Sequence, residues 1–196
     1  QPMNSKIYRL INGITLYRVL AAPVLLLLIF WEHWEAFRYL LILSFFTDAI
    51  DGFLARKYKV VSKYGSRLDS IGDDLTVFVA LFGFIKARPA FVDQEWPIIL
   101  LLVVLFFVQT AMAFFRYRRM SNFHTYLAKL AAILQAFFLI SAFFVAEPSY
   151  TLFYLVALIT GIELLEEMVL VALLKDWQTD VKGIYWVLKR NRHPPQ

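Results

Sequence analysis

Four carboxylates stand out between residues 48 and 73. The stretch reads Asp48-Ala-Ile-Asp51-Gly52-Phe-Leu-Ala55-Arg56, eight further residues, then Gly65-Ser-Arg-Leu-Asp69-Ser-Ile-Gly-Asp73. Asp48, Asp51 and Ala55 recur at i, i+3 and i+7, and Gly65, Asp69 and Asp73 at i, i+4 and i+8, so each set shares one face of a helix. The polar, basic residues 57–64 between them are expected to form a hairpin loop that folds the two faces together. Four unneutralised carboxylates in one small volume repel one another and are costly to desolvate. Hard divalent cations resolve that conflict, because Mg²⁺ and Mn²⁺ take oxygen ligands and share them with substrate phosphates. Four acids on two helices suit two such ions about 4 Å apart. Gly52, Ala55 and Gly65 remove bulk where a large ligand must approach the backbone. Arg56 offers a guanidinium fork for phosphate. Together these residues describe a site for a pyrophosphate ester. A lone Asp is ordinarily a cap or a solvated residue; four at these spacings in so apolar a chain argue for function.

The complete pattern, Asp48-x₂-Asp51-Gly52-x₂-Ala55-Arg56-x₈-Gly65-x₃-Asp69-x₃-Asp73, resembles the signature of the CDP-alcohol phosphotransferases (class I CDP-alcohol phosphatidyltransferases), with no departure at any signature position. The resemblance implies a binuclear Mg²⁺ or Mn²⁺ site on Asp48, Asp51, Asp69 and Asp73. It implies CDP-diacylglycerol held beside Gly52, Ala55, Arg56 and Gly65, and passage of its phosphatidyl group to an alcohol with release of CMP, a step of phospholipid biosynthesis. It also makes Asp73 the candidate general base and the polar series Asn12-x₂-Thr15-x₂-Arg18 a border of the nucleotide pocket. That series is similar to the phosphatidylglycerophosphate synthases, so glycerol 3-phosphate is the favoured acceptor. Phosphatidylglycerol, an inositol phosphate or serine as acceptor, or a CDP-aminoalcohol as donor, fit the same signature. Members of the family often form homodimers.

The elements that must position these residues are read from hydropathy. Of 196 residues 60% are hydrophobic, and the mean hydropathy is +0.61, which points to a single all-α integral membrane domain over residues 3–196. Cysteine is absent, which excludes a disulfide framework and thiolate chemistry. The net charge is +5, yet no nucleic-acid motif accompanies it, so phosphate and anionic lipid are the expected partners. Gln1-Pro2 is expected to be a tag remnant, and no cleavable signal peptide is expected, since the first apolar stretch leads into more of them. Residues 6–17 are expected to lie along the interface as a short amphipathic helix. Six transmembrane helices then follow at about 15–31, 36–57, 66–85, 97–115, 126–146 and 150–174. Residues 86–96 read as a loop and 175–196 as a basic cytoplasmic tail, whose 184–188 piece rests on the membrane.

Lys and Arg crowd the N-terminus, the 57–67 loop, the 116–119 loop and the tail. By the positive-inside rule both termini and the aspartates face the cytoplasm, in a multi-pass protein of a bacterial inner membrane. Arg67, Arg116 and Lys129 are candidate phosphate contacts. Plain topology signals and snorkelling account for them equally well. Glu163 and Glu167 share a face of the last span, and Glu163, several residues inside it, needs a partner, a proton or a water-filled cavity; Lys129 or Arg18 would supply the partner, and a direct role in acceptor recognition is the alternative. A divalent-cation transporter would also place acids in its spans. It leaves Gly52, Ala55 and Gly65 unexplained, and Arg56 is a poor residue for a cation path.

Overall fold

The structure, a computed structural model, describes residues 5–58, 63–119, 121, 123–178 and 181–192. The side chains of 5–12, 14–15, 18, 48–49, 51–58, 63–71, 73 and 191–192 lie outside the described residues. Among the described residues seven α-helices run in order: α1 Ser5–Phe30, α2 Trp34–Tyr58, α3 Lys63–Ala87, α4 Pro89–Tyr117, α5 Tyr126–Ala142, α6 Tyr150–Leu173 and α7 Ile184–Arg192. Among the described residues there is no strand. α4 is long and apolar enough to cross a membrane, and Val19–Phe30 and Tyr126–Ala142 are shorter apolar helices.

Several boundaries differ from the expectation; α2 and α3 take Lys57, Tyr58, Lys63 and Tyr64 from the expected 57–64 loop, because both helices continue through these polar residues. Residues 6–17 are not a separate interfacial helix; they are the first turns of α1, which continues through Pro23 to Phe30. A proline costs a helix one backbone hydrogen bond, and neighbouring helices can accommodate that loss. Residues 86–96 are not a loop, because α3 runs to Ala87 and α4 begins at Pro89. Proline is well suited to a first helical position, where its missing N–H would have no partner in any case. The fifth helix stops at Ala142, short of residue 146.

The chain divides into two compact units. The first holds residues 1–89 and 139–147. α1 ends in a Schellman motif: Glu32 takes a positive φ of 57°, the His33 N–H donates to Leu28 O at 2.9 Å, and the Glu32 N–H donates to Ile29 O at 3.2 Å. That turn reverses the chain within residues 31–33, so α2 runs antiparallel to α1. Ala21, Ala22, Leu25 and Ile29 of α1, Phe37 and Leu41 of α2, and Val79, Ala80 and Phe84 of α3 are all buried. Phe143 packs edge-on to Phe37 at 4.9 Å and stacks on Trp34 at 6.4 Å between ring centroids. Arg88 Nε donates to Ala142 O at 3.0 Å, and its Nη2 donates to Val145 O. A guanidinium there satisfies carbonyls that the end of α5 leaves open.

The second unit holds residues 90–138 and 148–196. Its core joins Ala113, Phe123, Leu170, Val171, Leu174, Val181 and Val187. A polar network runs beside it. Glu167 accepts from Gln109 Nε2 at 2.6 Å and from Ser121 Oγ at 2.9 Å. Glu166 accepts from Thr125 Oγ1 at 2.9 Å and from the Ile184 N–H at 3.2 Å. The Val181 N–H donates to Phe123 O at 2.8 Å. These bonds carry the chain from α6 back to α7. On α7, Val187 is buried while Tyr185, Trp186 and Leu188 are exposed.

Candidate metal and phosphate site on the first three helices

The signature lies on two helices, as its spacing requires. Asp48, Asp51, Gly52, Ala55 and Arg56 fall in α2, and Gly65, Arg67, Asp69 and Asp73 in α3. Both helices are continuous through these positions, so the i, i+3 and i, i+4 pairs each share a face. The side chains of these nine residues lie outside the described ones.

The described residues nearby fix the level of the site. Gly83 of α3 lies against Phe37 of α2 and Ile29 of α1: a Cβ on Gly83 would stand 2.8 Å from Phe37 Cζ and 3.2 Å from Ile29 Cδ1. Phe30 and Phe82 meet beside them, 6.2 Å between centroids. The three helices are therefore in register at that level. α2 and α3 run antiparallel, because only residues 59–62 join their other ends. Twelve residues back from Ile29 along α1 is Tyr17, twelve on from Phe37 along α2 is Ala49, and twelve back from Gly83 along α3 is Ile71. At one helical rise per residue these three share a second level about 18 Å from the first. Asp48 and Asp51 bracket Ala49, and Asp69 and Asp73 bracket Ile71, so the two acid pairs fall at one height. Thr15 and Arg18 of α1 reach the same height.

Polar residues below this level are self-satisfied. Ser44 Oγ donates to Leu40 O at 2.9 Å, Thr47 Oγ1 to Leu43 O at 2.8 Å, and Thr76 Oγ1 to Gly72 O at 2.8 Å. Ser44 and Thr76 are buried, and back-bonding to the preceding turn lets such hydroxyls enter an apolar face without an orphan donor. Tyr17 behaves differently. Its hydroxyl is shielded from solvent and has no hydrogen-bond partner among the described residues. Sequence reasoning passed over it for the polar series around it, although Tyr17 lies four residues before Ala21, on the face of α1 that packs.

The pattern matches a family model for CDP-alcohol phosphatidyltransferase over residues 9–173. The chain belongs to the CDP-alcohol phosphatidyltransferase family. It is a transferase, and divalent cations are general to its family. An oxygen-only donor set of four aspartates fits such ions. Among the described residues no group of three His, Asp or Glu could hold a metal, and the four aspartate side chains are outside that set. Over 129 residues the chain is 32% identical to a CDP-diacylglycerol–glycerol-3-phosphate 3-phosphatidyltransferase of Rickettsia typhi, covering 64% of this chain and 71% of that one. It is 34% identical over 103 residues to a chloroplastic/mitochondrial enzyme of the same name from Arabidopsis thaliana, covering 51% and 34%. It is 33% identical over 73 residues to a cardiolipin synthase (CMP-forming)/mitochondrial hydrolase fusion protein of Schizosaccharomyces pombe, covering 37% and 12%. No solved structure matches the chain.

The remaining candidates belong to the second unit. Arg116 Nε donates to Leu174 O at 3.2 Å, at the C-terminal end of α6, where a cation complements the open carbonyls and the dipole. Lys129 is exposed, with its Nζ 5.7 Å from the centre of the Tyr126 ring. Glu167 accepts from Gln109 of α4 and from Ser121 of the segment after it.

Proposed function

We propose that the protein transfers the phosphatidyl group of CDP-diacylglycerol to the primary hydroxyl of glycerol 3-phosphate and releases CMP. The observation that carries this reading is the complete eight-position signature on α2 and α3, with both acid pairs at one height. The relatives from Rickettsia typhi and Arabidopsis thaliana, named for that donor and acceptor, support the choice of acceptor. Asp48, Asp51, Asp69 and Asp73 would hold two Mg²⁺ or Mn²⁺ ions, which supply charge neutralisation at the diphosphate when bound. Gly52, Ala55 and Gly65 leave room for the cytidine and Arg56 binds phosphate. Asp73 accepts the proton of the attacking hydroxyl as it displaces CMP in line. Arg67, Arg116 and Lys129 are retained as candidate contacts to the acceptor phosphate.

In this reading residues 3–196 form one catalytic domain with six membrane spans. Both termini and the aspartates face the cytoplasm of a bacterial inner membrane, where glycerol 3-phosphate is soluble and CMP is recovered. The charge pattern of the loops supports that orientation. A homodimer is the assembly we favour. The Schizosaccharomyces pombe relative, named a cardiolipin synthase, supports a second reading in which phosphatidylglycerol is the acceptor.

The test is CMP release by the purified protein from CDP-diacylglycerol with acceptors added singly. Glycerol 3-phosphate alone should support turnover, which chelation with EDTA should abolish and added Mg²⁺ or Mn²⁺ restore. Turnover only with phosphatidylglycerol would select the second reading. Folded protein with no metal-dependent CMP from any acceptor would refute both.

A further inference from the structure

Tyr17 is half-buried, and its hydroxyl is shielded from solvent with an unused donor. Tyr hydroxyls that leave water normally find a partner, because an unmade hydrogen bond there costs free energy. Among the described residues the Tyr17 hydroxyl has none, while the buried hydroxyls of Ser44 and Thr76 on neighbouring helices are bonded. If packing alone were needed at this position, a phenylalanine would supply it without that cost. Tyr17 shares a face of α1 with Ala21 and Leu25, at i+4 and i+8, both buried. The Ile29–Phe37–Gly83 contact puts it at the height of Ala49 and Ile71, between the paired aspartates. An acceptor on a molecule bound at that height would complete the donor.

We infer that the Tyr17 hydroxyl is a substrate-binding group of this site, donating a hydrogen bond to a phosphate oxygen of the CDP-lipid diphosphate. This rests on the phosphatidyl-transfer reading above. Phenol chemistry suits the task. A phenol O–H donates to an anionic oxygen without adding a charge that would compete with the cations. Hydrogen bonds to charged groups are among the stronger ones.

The Tyr17→Phe variant removes one oxygen and nothing else. Two readouts on full-length protein in nanodiscs test the assignment: the thermal midpoint with and without CDP-dioleoylglycerol, and steady-state CMP release. Without ligand, the variant should unfold at the wild-type temperature or slightly above it, since an unsatisfied donor has gone. Its KM for CDP-dioleoylglycerol should rise about 10- to 100-fold, the range for a bond to a charged acceptor, and the KM for glycerol 3-phosphate should stay put. Stabilisation by the lipid should need correspondingly more of it. A lower midpoint without ligand, whatever the activity, would mean that the hydroxyl bonds within the protein and would overturn the assignment. So would an unchanged KM in an active enzyme. Wild-type protein without CMP release would sink the phosphatidyl-transfer reading and this inference together, a result distinct from failure of the Tyr17 assignment alone.

Discussion

Gln109 of α4 and Glu167 of α6 are joined by a 2.6 Å hydrogen bond, amide Nε2 to carboxylate Oε2, with both residues buried. The same Nε2 also donates to Ser121 Oγ at 2.6 Å, and that hydroxyl donates on to Glu167. The triangle ties two helices of the second unit to the segment between α4 and α5. Replacing Gln109 with Leu leaves a buried carboxylate short of a donor, at a cost of about 1–3 kcal/mol. The expected outcome is a lower unfolding midpoint in detergent, with the metal requirement for turnover unchanged.

Gly83 sets the packing level for the first three helices. A Val there would drive its Cβ into the Phe37 ring and the Ile29 side chain, at 2.8 and 3.2 Å. Both neighbours are fully buried, so neither can swing aside. Overpacking of this kind typically costs about 1–3 kcal/mol. Gly83→Val should lower the thermal midpoint and also lower turnover, because α1, α2 and α3 carry the site from this contact. A midpoint equal to wild type would show that the contact does not set the register.

The aspartates should separate by role. Asp73→Asn, which would remove the proposed base, should lower kcat by about 10²- to 10⁴-fold while CDP-diacylglycerol still binds. Asp48→Asn should instead weaken the response of turnover to Mg²⁺ and Mn²⁺ concentration. Steady-state CMP release across a metal titration distinguishes the two. Equal loss of lipid binding and turnover in Asp73→Asn would count against the base.

Gly183 precedes α7 with a φ of +144°, and a Cβ there would stand 3.0 Å from Glu166 Oε1. Both the backbone conformation and the space favour glycine. Gly183→Ala should loosen the hold of Glu166 on the Ile184 N–H. Faster proteolysis within α7 relative to wild type is the measurement that checks it.

Much of the site was legible because aspartate spacing is a statement about helix faces, and α2 and α3 keep that spacing in unbroken helices. Their bounds, Trp34–Tyr58 and Lys63–Ala87, also fall within a few residues of those expected. Other features required three dimensions. The register of α1 against its neighbours depends on the Schellman turn and on Gly83, and Gly83 is an inconspicuous residue in an apolar run. The sequence draws attention to the charged candidates Lys129 and Arg18 as partners for Glu163, because charge is visible in a sequence. The neighbouring Glu166 and Glu167 bond Gln109, Ser121, Thr125 and a backbone N–H, and which neutral donors a segment folds toward is not written in composition. Lys129 sits over Tyr126, three residues before it, a local contact that competes with any distant partner.

The three-residue reversal after α1 has a mechanical consequence. With no slack between Phe30 and Trp34, covalent length acts as a ruler: the height of any residue on α1 or α2 is counted from that corner. One residue added or removed between Tyr17 and the corner would shift everything beyond it by about 1.5 Å and turn it by about 100°, carrying Tyr17 off the face it shares with Ala21 and Leu25. Length changes in this hairpin should therefore be silenced only by a matching change elsewhere in it, whereas residues 143–149, a run of turns and bends between α5 and α6, carry no such count to the aspartates.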